Sequence, residues 1–169
     1  MADYYTLFST LFPVGAAGNV APALALYQQF ADELEEQEET VGFLAEAGDP
    51  HDGAHLWLRS DESGDVEHVI AFALRCAEAL DLQGMWGFRW ALTCSAPKPG
   101  AFGGGAQVID LGARRTVSWV DAEDWMEVQI ACASKFRISH GTAAPGGTGD
   151  DSPQQPLEMQ PSANSLGQG

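Results

Sequence analysis

Residues 86–111 read WGFRWALTCSAPKPGAFGGGAQVIDL, a strand–loop–strand passage with two Trp, a Cys, an Arg and three consecutive Gly. Large apolar side chains alternate with small or polar ones over residues 86–94, which is the pattern of a half-buried strand. This alternation places five residues on the core face of the strand: Trp86, Phe88, Trp90, Leu92 and Cys94. Because the passage concentrates residues of special backbone or side-chain geometry, we expect a functional site here before elsewhere.

The same periodicities predict the elements on either side of this passage. Two-residue alternation predicts strands over residues 4–14, 41–47, 55–60, 86–94, 106–111 and 116–120. Apolar stripes with helical spacing predict helices over residues 19–39, 65–80 and 122–133. Asn19 and Asp121 are the expected N-caps of the first and the last helix. The last helix is expected to bury Trp125, Met126 and Ile130.

The order of elements is βαββαβ followed by a β-hairpin and a C-terminal helix. The first six elements have the order of the ferredoxin-like split βαβ unit, which predicts an α+β two-layer sandwich. We expect at least five strands in one mainly antiparallel sheet, with the first two helices on the same face. The alternative is a different two-layer α/β sandwich in which the extra hairpin extends the sheet.

Composition divides the chain into one domain, residues 1–133, and a tail, residues 134–169. The tail is rich in Gly, Pro, Ser and Gln and has few large apolar residues after His140, so we expect it to be disordered. The domain holds the acidity, because residues 1–130 contain 21 acids against 6 bases, a net charge of −15.

The charge of the whole chain, −16, repels nucleic-acid backbones and anionic membranes. The expected partner is therefore a basic protein surface, such as that of a nucleic-acid-binding protein. The chain has no signal-peptide pattern and no apolar run of membrane-spanning length. Its three cysteines lack CxxC spacing and a disulfide framework, which favours the cytoplasm.

Residues 32–39, DELEEQEE, place six acids at the predicted C-terminus of the first helix. The helix dipole and like-charge contacts both oppose carboxylates at that end. One interpretation is a solvated face that keeps the protein soluble. The other is a partner-binding cluster whose unfavourable charge a basic protein neutralises. This cluster consists of Asp32, Glu33, Glu35, Glu36, Glu38 and Glu39.

A second candidate site is centred on Arg89, which stands between Gly87 and Ala91 on the non-core face of its strand. An internal carboxylate is the favoured partner of the guanidinium, and an external carboxylate or phosphate is the alternative. The further ligand-binding candidates are Thr93, Gly103, Gly104 and Gly105. The three glycines favour a turn or bulge over a phosphate cradle, because a strand follows them instead of a helix.

No nucleophile, metal or cofactor site follows from the remaining residues. Cys94 lies at a strand end where a nucleophile can be presented, but alternation favours a buried, inert thiol. His51, Asp52 and His55 supply metal-ligand types, yet they fall in a turn where the two imidazoles need not converge. We therefore expect no metal and no cofactor.

The phrases DYYTLFSTLFPV, WGFRWALTCS and FGGGAQVIDLGARRTVSWVD resemble those of an uncharacterised family of small proteins of bacterial plasmids and phages. The resemblance covers most of residues 3–125, and the chain from about Ala131 lies outside it. It implies a mobile-element context and supplies neither an activity nor catalytic residues.

Two classes of function follow from these observations. Charge and the lack of a catalytic constellation favour a non-enzymatic acidic interaction protein, such as a DNA-mimic inhibitor or accessory factor that binds a basic protein. The alternative is a small-ligand binder or enzyme with a site around Arg89, Thr93, Cys94 and the Gly103–Gly105 loop. Whether the chain catalyses a reaction stays open, with a non-enzyme favoured.

Overall fold

The computed structural model describes residues 2–139, which contain seven strands and three α-helices. The strands are β1 (Tyr4–Leu7), β2 (Ser9–Pro13), β3 (Leu44–Ala47), β4 (His55–Arg59), β5 (Met85–Cys94), β6 (Gly103–Asp110) and β7 (Arg115–Asp121). The helices are α1 (Val20–Glu36), α2 (Val66–Ala79) and α3 (Ala122–Ser139). The chain is therefore α+β, as the periodicities predict.

The strands form two antiparallel sheets, where a single sheet of at least five strands was expected. One sheet has four strands in the order β1-β5-β6-β7, and the other has three in the order β2-β4-β3. The predicted hairpin between β6 and β7 is present, with a register shift between Val108 and Ile109. The two sheets and the helices are compatible with a two-layer α+β sandwich.

A break at Phe8 divides the expected first strand into β1 and β2. The Phe8 backbone turns away from strand pairing and binds Ser60, whose Oγ accepts from the Phe8 N–H at 3.2 Å. The Ser60 N–H in turn donates to the Phe8 carbonyl at 3.0 Å. Because Phe8 and Phe12 both point into the core, the break keeps the phase of the alternation and leaves no trace in the sequence pattern.

Both α1 and α2 pack on one continuous core. Their buried side chains meet those of the strands around Phe72, which contacts the rings of Phe12, Tyr27, Phe30 and Phe43. The β5 residues Trp86 and Phe88 stack at 5.2 Å and extend the same core under the four-stranded sheet. The Trp86 indole N–H donates to the Leu11 carbonyl at 2.9 Å, which ties β5 to β2.

Helix α1 ends at Glu36, three residues before the expected end. Glu38 adopts a left-handed conformation with φ 61°, and the Glu39 N–H donates to the Leu34 carbonyl at 2.9 Å. This is a Schellman C-cap, which terminates a helix. At the other end Asn19 occupies the N-cap position, but its Nδ2 donates to the Val14 carbonyl and its side chain makes no cap hydrogen bond.

The third helix differs most from expectation. Trp125, Met126 and Ile130 are exposed, where the apolar pattern predicts burial. α3 follows β7 directly, and β7 is itself the outermost strand of its sheet, so no element of the described chain covers the pair. Asp121 does cap the helix as predicted, since its Oδ1 accepts from the Glu123 N–H at 2.8 Å. The helix continues to Ser139, beyond the expected end near Ala133, and the expected tail from residue 140 onward lies outside the described residues.

Candidate interaction surface

The acidic cluster of residues 32–39 lies on the last turn of α1 and on the Schellman cap that follows. All six carboxylates are exposed. Glu33 is paired within the fold, because both of its carboxylate oxygens accept hydrogen bonds from Arg75 of α2 at 2.6 Å. The Arg75 hydrogen bonds hold the pKa of Glu33 below its ordinary value. Glu33 is thus a structural residue and not part of a free binding surface.

Glu39 and Asp32 are also engaged, though more weakly. A Glu39 carboxylate oxygen lies 3.4 Å from Nε2 of His68 on α2, and Asp32 accepts from the Gln28 amide at 2.8 Å. The carboxylates of the remaining three, Glu35, Glu36 and Glu38, have no hydrogen bond or ion pair with any residue of the described chain. These three carboxylates form the free part of the predicted cluster.

The segment that leads into α2 brings further acids close to the cluster of residues 32–39. The Asp65 N–H donates to the Gly42 carbonyl at 3.3 Å, which brings residues 61–67 against the segment after α1. A groove of about 330 Å³ runs between the two segments, with Asp61 and Glu62 on one wall. The four additional acids are Asp61, Glu62, Asp65 and Glu67.

Together these two segments form what we call the acidic end, residues 32–39 and 61–67. Its bases within the described chain are few, since Arg75 is bound to Glu33 and His68 is held between Glu39 and Asp65. Asp65 also caps α2 by accepting from the His68 N–H at 2.9 Å. The antiparallel arrangement of α1 and α2 puts the C-terminus of one beside the N-terminus of the other, which the linear spacing alone does not show.

Arg89 lies on the exposed face of β5, and no carboxylate of residues 2–139 pairs with it. The guanidinium is exposed and makes no ion pair or hydrogen bond with the described part of the chain. Asp and Glu side chains are plentiful, but the neighbouring strand places Ala106 directly opposite Arg89. The internal partner predicted for Arg89 is therefore not found among the described residues.

The other ligand-binding candidates separate into two cavities. Thr93, Gly103 and Gly104 line a cavity of about 210 Å³ beside Phe102, and Asp121 and Glu123 stand at its wall. Arg89 instead lines a more open cavity of about 470 Å³, together with Gly103–Gly105 and Trp125. Cys94 lines neither of these two cavities. The structure therefore does not gather all of these residues into one site.

The three glycines belong to strand β6, which begins at Gly103 and not at Ala106 as expected. A Cβ on Gly105 would stand 2.5 Å from the Trp90 ring and 2.5 Å from the Val120 carbonyl. Gly104 has φ 145° and passes close to the Trp90 backbone. Close packing against Trp90 explains Gly104 and Gly105, whereas a Cβ on Gly103 would make only an ordinary contact with Leu92.

Cys76, Cys94 and His51 lie on different elements of the fold. Cys94 is half-buried, more accessible than expected, and Cys76 is fully buried, with burial raising the pKa of its thiol to about 12. His51 lies in a short helical turn, where its N–H donates to Asp49 at 2.9 Å. Within residues 2–139, no three His, Cys, Asp or Glu side chains are grouped closely enough to hold a metal ion.

Comparison of the chain with family models, with curated proteins and with solved structures gives no match. The resemblance to plasmid and phage proteins therefore stays a prediction. None of the helices described in residues 2–139 has the length and hydropathy needed to cross a membrane.

Proposed function

We propose that this chain is a non-enzymatic interaction protein whose acidic end binds a basic, nucleic-acid-binding surface of another protein. In this proposal the carboxylates stand in for the phosphates of a nucleic-acid backbone, as in a DNA-mimic inhibitor or accessory factor. The mobile-element context and a cytoplasmic location belong to the same proposal. The three cysteines are free thiols, which a reducing cytoplasm preserves.

One observation carries this proposal. Glu35, Glu36 and Glu38 sit at a helix C-terminus, where the dipole disfavours them, and the described chain provides them with no cation. By contrast, Glu33, the structural carboxylate of the same cluster, is paired with Arg75. The three free acids are unfavourable at their position and have no internal cation. Such acids are expected where the basic surface of another protein neutralises them.

Affinity capture tests the proposal with a matched pair of variants. The test variant carries Glu35→Gln, Glu36→Gln and Glu38→Gln, and the control carries Asp3→Asn, Asp52→Asn and Glu78→Gln, which remove the same charge from exposed sites elsewhere. The parent and the control should capture the same nucleic-acid-binding proteins at about 0.05 M salt and lose them at about 0.5 M. The test variant should capture at least about tenfold less.

Duplex DNA added to the capture should release these proteins, because the proposal places the chain and DNA on the same surface. Equal capture by all three forms of the chain would contradict the proposal, as would captured proteins that DNA does not release. Both outcomes would leave the acidic end as a device for solubility.

A small-ligand binder is the second candidate function, and the cavity beside Phe102 favours it. A ligand there would contact Thr93 and Gly104, with aromatic walls from Tyr4 and Tyr5. An anion is disfavoured, because Asp121 and Glu123 stand at the wall and Asp121 already accepts the free N–H groups of α3. The substitution Thr93→Trp would fill the cavity and should abolish binding of a neutral ligand, while Arg89→Ala should leave it unchanged.

We also propose that the fold is the ferredoxin-like split βαβ unit with an added hairpin and helix. β1 and β2 together act as one bent strand, which pairs with β5 on one side and with β4 on the other. The strand order across both sheets is then β3, β4, the bent strand formed by β2 and β1, β5, β6 and β7. The first four of these strands have the arrangement of the split βαβ unit, and β6 and β7 extend it.

A further inference from the structure

β7 and α3 carry an apolar surface that the other elements of residues 2–139 leave uncovered. Its exposed apolar side chains include Val117, Trp119, Val120, Trp125, Met126 and Val128. The indoles of Trp119 and Trp125 are 60% and 58% exposed and border a cavity of about 250 Å³. Soluble domains seldom leave such side chains grouped on the surface unless another molecule covers them.

The backbone of β7 offers a second feature of an interaction site. β7 is the outermost strand of its sheet, and only β6 pairs with it within the described chain. The bulge opposite Val108 and Ile109 leaves Ser118–Asp121 as the regular part of this edge. Residues 116–120 read TVSWV, with neither charge nor proline, although natural edge strands normally carry such residues to prevent pairing.

The charges at the two ends of β7 indicate what pairs with it. The strand starts at Arg115 and ends at Asp121, which Asp124 follows in the first turn of α3, whereas the neighbouring Arg114 already lies 3.5 Å from Asp81. Arg115 has no ion pair in the part of the chain that the structure describes. If a second copy of β7 lay antiparallel to the first, the basic start of each strand would lie beside the acidic end of the other. A two-fold axis would relate these two contacts.

We propose that the chain forms a two-fold dimer in which the β7 strands of two copies pair antiparallel and join their four-stranded sheets. The pairing gives hydrogen-bond partners to the free backbone groups of the β7 edge. Trp119 and Trp125 of each copy are buried at the junction. The acidic ends are not part of this junction, because α1 contacts β3 of the smaller sheet, whereas β7 is an edge strand of the larger sheet. Each copy can then bind its own basic partner.

Sedimentation of the purified full chain over about 1 to 100 µM tests the dimer. The parent should sediment as a dimer at the upper concentrations, and Trp119→Lys should remain a monomer throughout, since a lysine blocks the edge. Met85→Lys is the matched control, because Met85 is 59% exposed on another strand of the same sheet, and it should dimerise like the parent. A monomeric parent, or a Trp119→Lys chain that dimerises equally, would overturn the proposal.

A charge exchange provides a test that does not alter the apolar surface. Arg115→Glu and Asp124→Arg should each weaken the dimer at least about tenfold, because Asp124 borders the same cavity as Trp119 and Trp125 and each substitution places like charges together. The double variant should restore it, since the attraction returns with reversed sign. Additive loss in the double variant would contradict antiparallel pairing, as would association that proceeds beyond the dimer.

Discussion

Glu38 has a backbone conformation that is unfavourable for a residue with its side chain. It occupies the left-handed position of the α1 C-cap with φ 61°, where glycine or asparagine is normally preferred. Its carboxylate also lies at the negative end of the helix dipole. A glutamate kept at such a position is better explained by a contact outside the chain than by stability.

The substitution Glu38→Gly should therefore stabilise the fold, by about 0.5 to 1 kcal/mol, because it relieves the backbone strain. Thermal and urea unfolding measure this change. Glu36→Gly is the control and should destabilise by a similar amount, since Glu36 is the last helical residue of α1. If Glu38→Gly is no more stable than the parent, the strain is not present.

Gly105 illustrates a packing requirement of the glycine run. Alanine at this position would place a Cβ 2.5 Å from the Trp90 ring, so the ring or strand β7 must move. We expect Gly105→Ala to destabilise by about 1 to 3 kcal/mol. Gly103→Ala is the matched control, because its Cβ would meet Leu92 at an ordinary 3.7 Å. Equal unfolding midpoints for the two variants would contradict this explanation of the run.

At the scale of the elements, α1 and α2 are joined by the bidentate pair between Glu33 and Arg75. The hydrogen bonds from Arg75 lower the pKa of Glu33 from its ordinary value of 4.5. A carboxyl whose pKa is lower in the folded state stabilises the fold above its unfolded pKa. This stabilisation is lost as the pH falls through the lower folded value.

Unfolding of the parent and of Glu33→Gln should consequently differ at pH 7 and converge in acid, well below pH 4.5. The parent should be the more stable of the two at neutral pH. Urea denaturation across this pH range measures the difference. A constant difference between the two proteins at all pH values would show that the pair makes no titrating contribution.

The elements themselves were largely predictable because most of them border the core. Alternation correctly predicted that Trp86 and Phe88 of β5 are buried, although Leu92 of the same predicted face is exposed, and helical spacing gave α2 the correct face. The break at Phe8 was not predictable, because it depends on hydrogen bonds from Ser60, a residue distant in sequence. The exposure of Trp125 was not predictable either, since an apolar pattern does not distinguish a face that meets its own core from one that meets another molecule.

The same limit applies to the candidate site. The acids of residues 32–39 were visible as a run, but the pairing of Glu33 with Arg75 and the approach of residues 61–67 depend on tertiary structure. For Arg89, the abundance of acids suggested an internal partner. Composition carries no positional information, however, and the strand opposite Arg89 presents Ala106.

At the scale of the whole molecule, the excess of acids is distributed over a fold with two distinct surfaces. The acidic end lies beside α1 and the strands of the smaller sheet, while the uncovered apolar surface lies on β7 and α3 at the edge of the larger sheet. The first surface suits a basic partner and the second suits another copy of the chain. The proposed function depends on the first alone.

Competition with DNA for one basic protein tests the central claim most directly. Fluorescence anisotropy would follow a labelled duplex bound to the DNA-binding protein that affinity capture recovers in greatest amount. Added parent chain should release the duplex, and the Glu35→Gln, Glu36→Gln and Glu38→Gln variant should require at least about tenfold more protein to do so, about 1.4 kcal/mol. A duplex that stays bound while the chain binds the same protein would contradict nucleic-acid mimicry by the acidic end.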